Sequence, residues 1–172
     1  MAAIAVVLGL TVGSFYYQSP AKDEVSHEEI AERTAEFAAV TTAQSIILPS
    51  VTTEERDRAL ASLDLTDVEK AALKSDVEDG RRRLVWLTLW DTHAEDGDVV
   101  LVSSEGLQQI VPIVHGKTRV AIPAPSTGVV NVTGVKDGGG GITIGVLSGS
   151  SRVRVPIMRE GQVIGIPVAV AP

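Results

Sequence analysis

A short acidic segment between two predicted strands carries the residues best suited to chemistry in this sequence. Residues 91–98 read DTHAEDGD and contain four carboxylates, those of Asp91, Glu95, Asp96 and Asp98. Calcium takes about six to eight oxygen ligands, and a carboxylate-rich loop can supply several of them, with backbone carbonyls and water completing the shell. These four residues are therefore candidate ligands of a calcium ion.

The spacing of these carboxylates differs from that of an EF-hand. With Gly97 at the sixth position of such a loop, Thr92 and Ala94 would occupy the first and third positions, where carboxylates are needed. The Asp96-Gly97 pair is also a strong turn-forming dipeptide. Two interpretations stay open at this point, a polar hairpin turn and a cation-binding loop.

No group of residues predicts catalysis. The sequence has no cysteine, and its three histidines, His27, His93 and His115, fall in three different predicted elements. No Gly-x-Ser-x-Gly pattern locates a nucleophilic serine. The glycine run 137–141 lacks the lysine of a phosphate-binding loop and precedes a strand pattern, so it predicts a flexible turn, from which Asp137 could join the acidic cluster. We expect a noncatalytic protein whose one candidate cofactor is calcium.

Charge limits the choice of partners. The 172 residues include 22 acidic and 15 basic side chains, for a net charge of -7 and a pI near 4.9. Such a field repels phosphate backbones, so we expect no nucleic-acid partner. The first 80 residues hold 15 acidic and 6 basic side chains in a helix-forming composition, whereas the remainder is rich in Val, Ile, Gly and Pro. This change in composition places a domain boundary near Gly80.

The first 19 residues predict a membrane anchor. Residues 1–17 carry no charge and end in three aromatic residues, as at a membrane interface. As a helix they would span about 25 Å, slightly less than the hydrocarbon core, and residues 18 and 19 extend the span. The segment that follows has no excess of Lys or Arg, which predicts that the bulk of the chain lies outside the cytoplasm, in the periplasm or at the cell surface. A cleaved signal peptide and a helix buried in a soluble assembly remain alternatives.

Residues 20–80 predict a helical neck. Three Ser or Thr residues are each followed by Glu three positions later, as in a capping box: Ser26 with Glu29, Thr52 with Glu55, and Thr66 with Glu69. They predict helices over about 26–47, 53–62 and 66–79. The apolar stripe of the first helix is thin and rich in alanine, which suits packing against another helix.

Residues 81–172 predict an antiparallel β-sandwich of about seven or eight strands. Short apolar runs alternate with turn residues roughly every ten positions. The candidate strands cover residues 83–90, 98–103, 108–114, 119–122, 128–135, 141–147, 152–157 and 162–170. The overall fold class is therefore α+β, with an apolar helix, a helical neck and an all-β head.

An apolar anchor helix joined through a helical neck to a β-sandwich predicts binding or assembly rather than enzymatic turnover, because the polar clusters all lie in turns. Our leading hypothesis is a noncatalytic, membrane-anchored structural or accessory subunit whose partners are other protein subunits or further copies of itself. One alternative is a pilin-like filament subunit with the apolar helix in the fibre core. Another is a calcium-dependent module that binds a glycan or another surface ligand.

Overall fold

The computed structural model describes residues 25–172 and contains a β-sandwich flanked by helices. The helices are α1 (His27–Ala43), α2 (Arg56–Ala61) and α3 (Asp67–Glu78). The strands are β1 (Ile46–Leu48), β2 (Leu84–Asp91), β3 (Val99–Ser104), β4 (Leu107–Pro112), β5 (Thr118–Pro123), β6 (Val129–Lys136), β7 (Ile144–Ser148), β8 (Ser151–Arg154) and β9 (Val163–Val170).

The strands form two sheets. The five-stranded sheet has the order β1-β9-β6-β3-β4, and the four-stranded sheet has the order β5-β2-β7-β8. Strands β2 to β9 correspond to the eight strands predicted after residue 81, so the expected β-sandwich is confirmed. Glu105 and Gly106 join β3 to β4 with positive φ angles of 49° and 81°, which suit the twist of a two-residue hairpin.

The first helix is shorter than predicted, and this is a correction. It was expected to reach residue 47, but it ends at Ala43, and Gln44 is already extended. Residues Ile46–Leu48 instead form β1, which pairs with β9 and makes the sheet mixed rather than purely antiparallel. Ile46 and Leu48 are almost fully buried, so tertiary pairing outweighs helix propensity here. The sandwich therefore includes a strand from before Gly80.

The third helix begins where its sequence indicates, whereas the second, expected from residue 53, begins three residues later. Thr66 and Glu69 form a complete capping box at the start of α3, which matches its predicted bounds within a residue. Thr52 and Glu55 exchange the same pair of hydrogen bonds, but residues 53–55 form a turn and α2 starts only at Arg56.

Two hydrophobic cores hold these elements together. The larger lies between the two sheets and includes Phe37 from α1. The smaller lies on the outer side of the four-stranded sheet, where α2 and α3 cover Leu84, Trp86 and Ala121. Helices α2 and α3 therefore pack directly on the β-sandwich.

Helix α1 is fixed to the sandwich by polar contacts as well. Arg33 is 1% exposed and donates to Thr92 Oγ1 at 2.7 Å and to Glu29 Oε1. Arg154 of β8 donates to Glu32 and Glu36 on the same helix. These contacts bring the start of α1 next to the acidic loop that follows β2.

The predicted anchor, residues 1–19, lies outside the described residues. Within residues 25–172, none of the helices has the length and apolar character that crossing a bilayer requires.

Candidate metal centre and uncharged sheet face

Three of the four predicted ligands meet at one end of the sandwich. Asp91 is the last residue of β2, Asp96 lies in the following loop, and Asp98 immediately precedes β3. Each offers a carboxylate oxygen within 4.8 Å of those offered by the other two. Asp91 is 3% exposed and Asp98 is 1% exposed, so two carboxylates of this cluster are almost completely removed from water.

The backbone and one hydroxyl hold the two buried carboxylates in place. Asp98 accepts hydrogen bonds from the amides of Gly138 at 3.0 Å and Thr143 at 3.2 Å. Asp91 Oδ1 accepts from the Thr143 hydroxyl at 2.7 Å and from the His93 amide at 2.9 Å. Thr143 thus connects Asp91 to Asp98 across the two sheets.

Two oxygens of the cluster lack any hydrogen-bond donor among the described residues. They are Asp91 Oδ2 and Asp96 Oδ1, and both atoms are buried. A buried carboxylate oxygen without a partner destabilises the fold, because its interaction with water is lost and not replaced. In the described part of the chain, no Lys or Arg forms an ion pair with these three residues.

Burial and the neighbouring carboxylates change the pKa of Asp98. Burial raises its pKa from 3.8 to about 6, and the nearby charges of Asp96 and Asp91 act in the same direction. The hydrogen bonds from Gly138 and Thr143 oppose this shift, because they stabilise the ionised carboxylate.

The fourth predicted ligand, Glu95, lies apart from the cluster. Its Oε2 accepts the His115 amide at 2.8 Å and lies 3.7 Å from His115 Nδ1. Glu95 therefore fastens the acidic loop to the segment after β4, while its neighbour Asp96 turns inward.

The glycine run takes part in the site through its backbone. Gly138 packs so closely on the carbonyl and carboxylate of Asp96 that a Cβ atom would collide with them. Asp137, the conjectured additional ligand, instead accepts the amides of Gly139 and Gly141 and so closes its own loop. Gly138 and Thr143 carry no local signal of this role in the sequence, since only the packing of two distant loops brings them to Asp98.

A polar cleft of about 540 Å³ opens beside Asp91. The Trp90 ring lines it, with the Arg152 guanidinium 5.9 Å from the ring centroid. His115 and the Arg154–Glu36 ion pair also line it. This cleft places cationic and aromatic groups next to the acidic cluster.

A second unusual surface is the outer face of the five-stranded sheet. Strand register places one charged residue, Lys136, opposite Val99 at a β-bulge at the end of this face. Alternating burial and strand register identify thirteen further outward-facing positions on four of its strands, and all of these are uncharged: Val163, Gly165, Pro167, Ala169, Val129, Asn131, Thr133, Val99, Leu101, Ser103, Gln108, Ile110 and Pro112. We call this set the bare face. Ile110 is 70% exposed and Val163 is 56% exposed.

Comparison with known proteins identified no similar protein. Neither protein-family models, nor curated proteins, nor solved structures gave a match to the chain.

Proposed function

We propose that the protein is a noncatalytic, membrane-anchored structural or accessory subunit whose sandwich lies outside the cytoplasm and mediates assembly with other subunits. The observation that supports this most is the bare face. An antiparallel sheet with one solvated side normally carries polar and charged residues at its outward positions. Here thirteen outward positions are uncharged and only Lys136, at the end of the face, is charged, in a chain with 22% charged residues.

The composition of the bare face resembles that of an interface core. Such cores are depleted in charged residues, and contiguous apolar patches on a soluble surface mark contact sites. Ile110 pairs with Leu101 across β3 and β4, and Leu101 pairs with Thr133 of β6, so these side chains form one continuous surface. Because the chain carries a net charge of -7, a face without carboxylates also permits close approach of a second acidic chain.

The test is purification of the tagged full-length chain from native membranes in mild detergent, read by mass spectrometry and particle size. Ile110→Glu places a charge on the bare face, and Val68→Glu makes the same change at a residue of α3 that is 79% exposed. We expect the wild type and Val68→Glu to carry a stoichiometric partner or to form a homo-assembly, and Ile110→Glu to be released as a monomer. A monomeric wild type, or identical behaviour of both variants, would contradict the proposal.

The cleft beside Asp91 favours a second candidate function, a calcium-dependent module that binds an acidic glycan. The Arg152 guanidinium suits a carboxylate, and the exposed part of the Trp90 ring, 8% of the residue, lies beside it in the cleft. Titration of the full chain with glucuronate in calcium should change tryptophan fluorescence saturably. Arg152→Ala should abolish the change, whereas Arg159→Ala, outside the cleft, should not. No saturable change in the wild type would refute this candidate.

A further inference from the structure

The three clustered carboxylates have the geometry of a cation site. Oxygens that bind one calcium ion lie about 2.3 to 2.6 Å from it, so two of them are at most about 5 Å apart. The oxygens of Asp91, Asp96 and Asp98 all lie within 4.8 Å of one another. We propose that these three residues bind a calcium ion at the end of the sandwich.

An independent observation points to a ligand at this position. Asp91 is 3% exposed, and its Oδ2 is buried without a hydrogen-bond donor; the same holds for Asp96 Oδ1. The other oxygen of Asp91 and both oxygens of Asp98 accept hydrogen bonds from His93, Thr143 and Gly138. The fold therefore fixes Asp91 and Asp98 in position while it leaves two buried oxygens, Asp91 Oδ2 and Asp96 Oδ1, for a positive charge to satisfy.

Calcium fits this site better than magnesium. Magnesium gives up its water reluctantly and is usually held by one or two carboxylates with several waters retained. Asp91 and Asp98 are nearly inaccessible to water, so an ion between them must exchange most of its water for protein oxygens. Calcium accepts such a shell, in a flexible geometry, with carboxylates from a loop and backbone carbonyls nearby.

The site would connect three parts of the chain. Asp91 ends β2 in one sheet, Asp98 leads into β3 in the other, and Gly138 packs against Asp96 from the glycine loop. A cation at the shared oxygens removes the repulsion among the carboxylates and ties the two sheets together at this end. This inference is independent of the proposed assembly through the bare face.

The test measures thermal melting of the full-length chain in EDTA, in calcium and in magnesium. At a hundredfold excess of calcium over its Kd, we expect the midpoint to rise by about 5 to 10 °C, because calcium binds the folded state by mass action. Magnesium at the same concentration should raise it less. No rise with millimolar calcium, or an equal rise with magnesium, would overturn the assignment.

Two neighbouring residues provide matched variants. Asp96→Asn removes one negative charge from the cluster, and Oδ1 of Asp96 accepts no hydrogen bond from the described residues that the change would delete. Glu95→Gln removes the same charge from the same loop, but outside the cluster. We expect Asp96→Asn to lower the affinity for calcium by about tenfold or more and Glu95→Gln to retain it. Equal responses of the two variants would show unspecific binding to an acidic loop and overturn the site.

A spectroscopic measurement on the wild type keeps the proposal falsifiable if Asp96→Asn fails to fold. Terbium replaces calcium in oxygen sites, and its emission is sensitised by a nearby tryptophan. Trp90 immediately precedes Asp91, and the chain has only one other tryptophan. We expect tryptophan-sensitised terbium emission that calcium displaces and magnesium displaces poorly. Absence of such emission would contradict the proposal independently of any variant.

Discussion

The outer faces of the two sheets differ in what covers them. On the four-stranded sheet, α2 and α3 cover β2 and β5, and Trp86 is only 4% exposed. On the five-stranded sheet, none of the described helices covers the bare face, and Ile110 is 70% exposed. The chain thus supplies the cover for one sheet itself. In our proposal another subunit supplies the cover for the other.

The polar groups on the two faces differ accordingly. On the covered side, Trp86 Nε1 donates to Glu55 Oε2 at 3.0 Å, and the Arg119 guanidinium lies 4.3 Å from the centroid of the Trp86 ring. Charges therefore lie at the rim of this intramolecular interface, where they find partners. The bare face has the apolar centre of such an interface without its cover.

The largest expected effect distinguishes the two faces by stability. Trp86→Ala removes a large side chain from the covered face and should lower the free energy of unfolding by about 3 to 5 kcal/mol. Ile110→Ala on the bare face should change it by about 0.5 kcal/mol or less in the monomer, because little buried area is lost. Denaturant unfolding of the two monomeric variants measures the difference. Similar losses would show that the bare face is covered within the chain.

Removing the capping box of α3, one of the two helices that cover the four-stranded sheet, should lower the free energy of unfolding less than Trp86→Ala does. Thr66→Ala deletes the capping box at the start of α3 and should cost about 1 kcal/mol of unfolding free energy. Thr42→Ala is a matched control at an exposed position in α1, where alanine is at least as good a helix former. Equal effects of the two substitutions would mean that α3 contributes little to the cover.

Acid should weaken the contact between Trp86 and Glu55 on the covered face. The hydrogen bond from Trp86 lowers the pKa of Glu55 below its usual 4.5, assisted by Thr52 and Arg119. A group whose pKa is lower in the folded state stabilises it above the unfolded pKa, and this contribution disappears as the pH falls through the folded value. We therefore expect the Trp86 indole NH resonance to shift as the pH falls below about 4.5, and Glu55→Gln to remove this dependence. An unchanged resonance would contradict the contact.

The positions of most strands could be predicted from sequence, whereas the pairing between strands distant in the chain could not. Alternating apolar residues and turn signals located β2 to β9, because both are local properties of the chain. The strand β1 was missed, since Ile46–Leu48 follows a helical pattern and becomes extended only by pairing with β9. The capping boxes at Thr52 and Thr66 formed as expected, for their hydrogen bonds span three residues.

In the candidate sites, too, local sequence signals could be recognised whereas contacts between distant segments could not. Clustered carboxylates in one loop identified Asp91, Asp96 and Asp98, but which acid turns inward depends on packing, and Glu95 is held outward by His115. Gly138 reaches Asp98 across 40 positions of sequence, a contact without a local signal. The bare face is assembled from four strands whose register only the folded sheet defines.

The most direct test of the central claim measures the accessibility of the bare face in the native membrane. The sequence has no cysteine, so single cysteines can report on chosen positions. Gln108→Cys lies on the bare face and Val68→Cys lies on α3, and both positions are exposed in the isolated chain. We predict that a maleimide reagent labels Val68→Cys in native membranes but labels Gln108→Cys only after the assembly is dissociated. Equal labelling of both cysteines before dissociation would contradict the account.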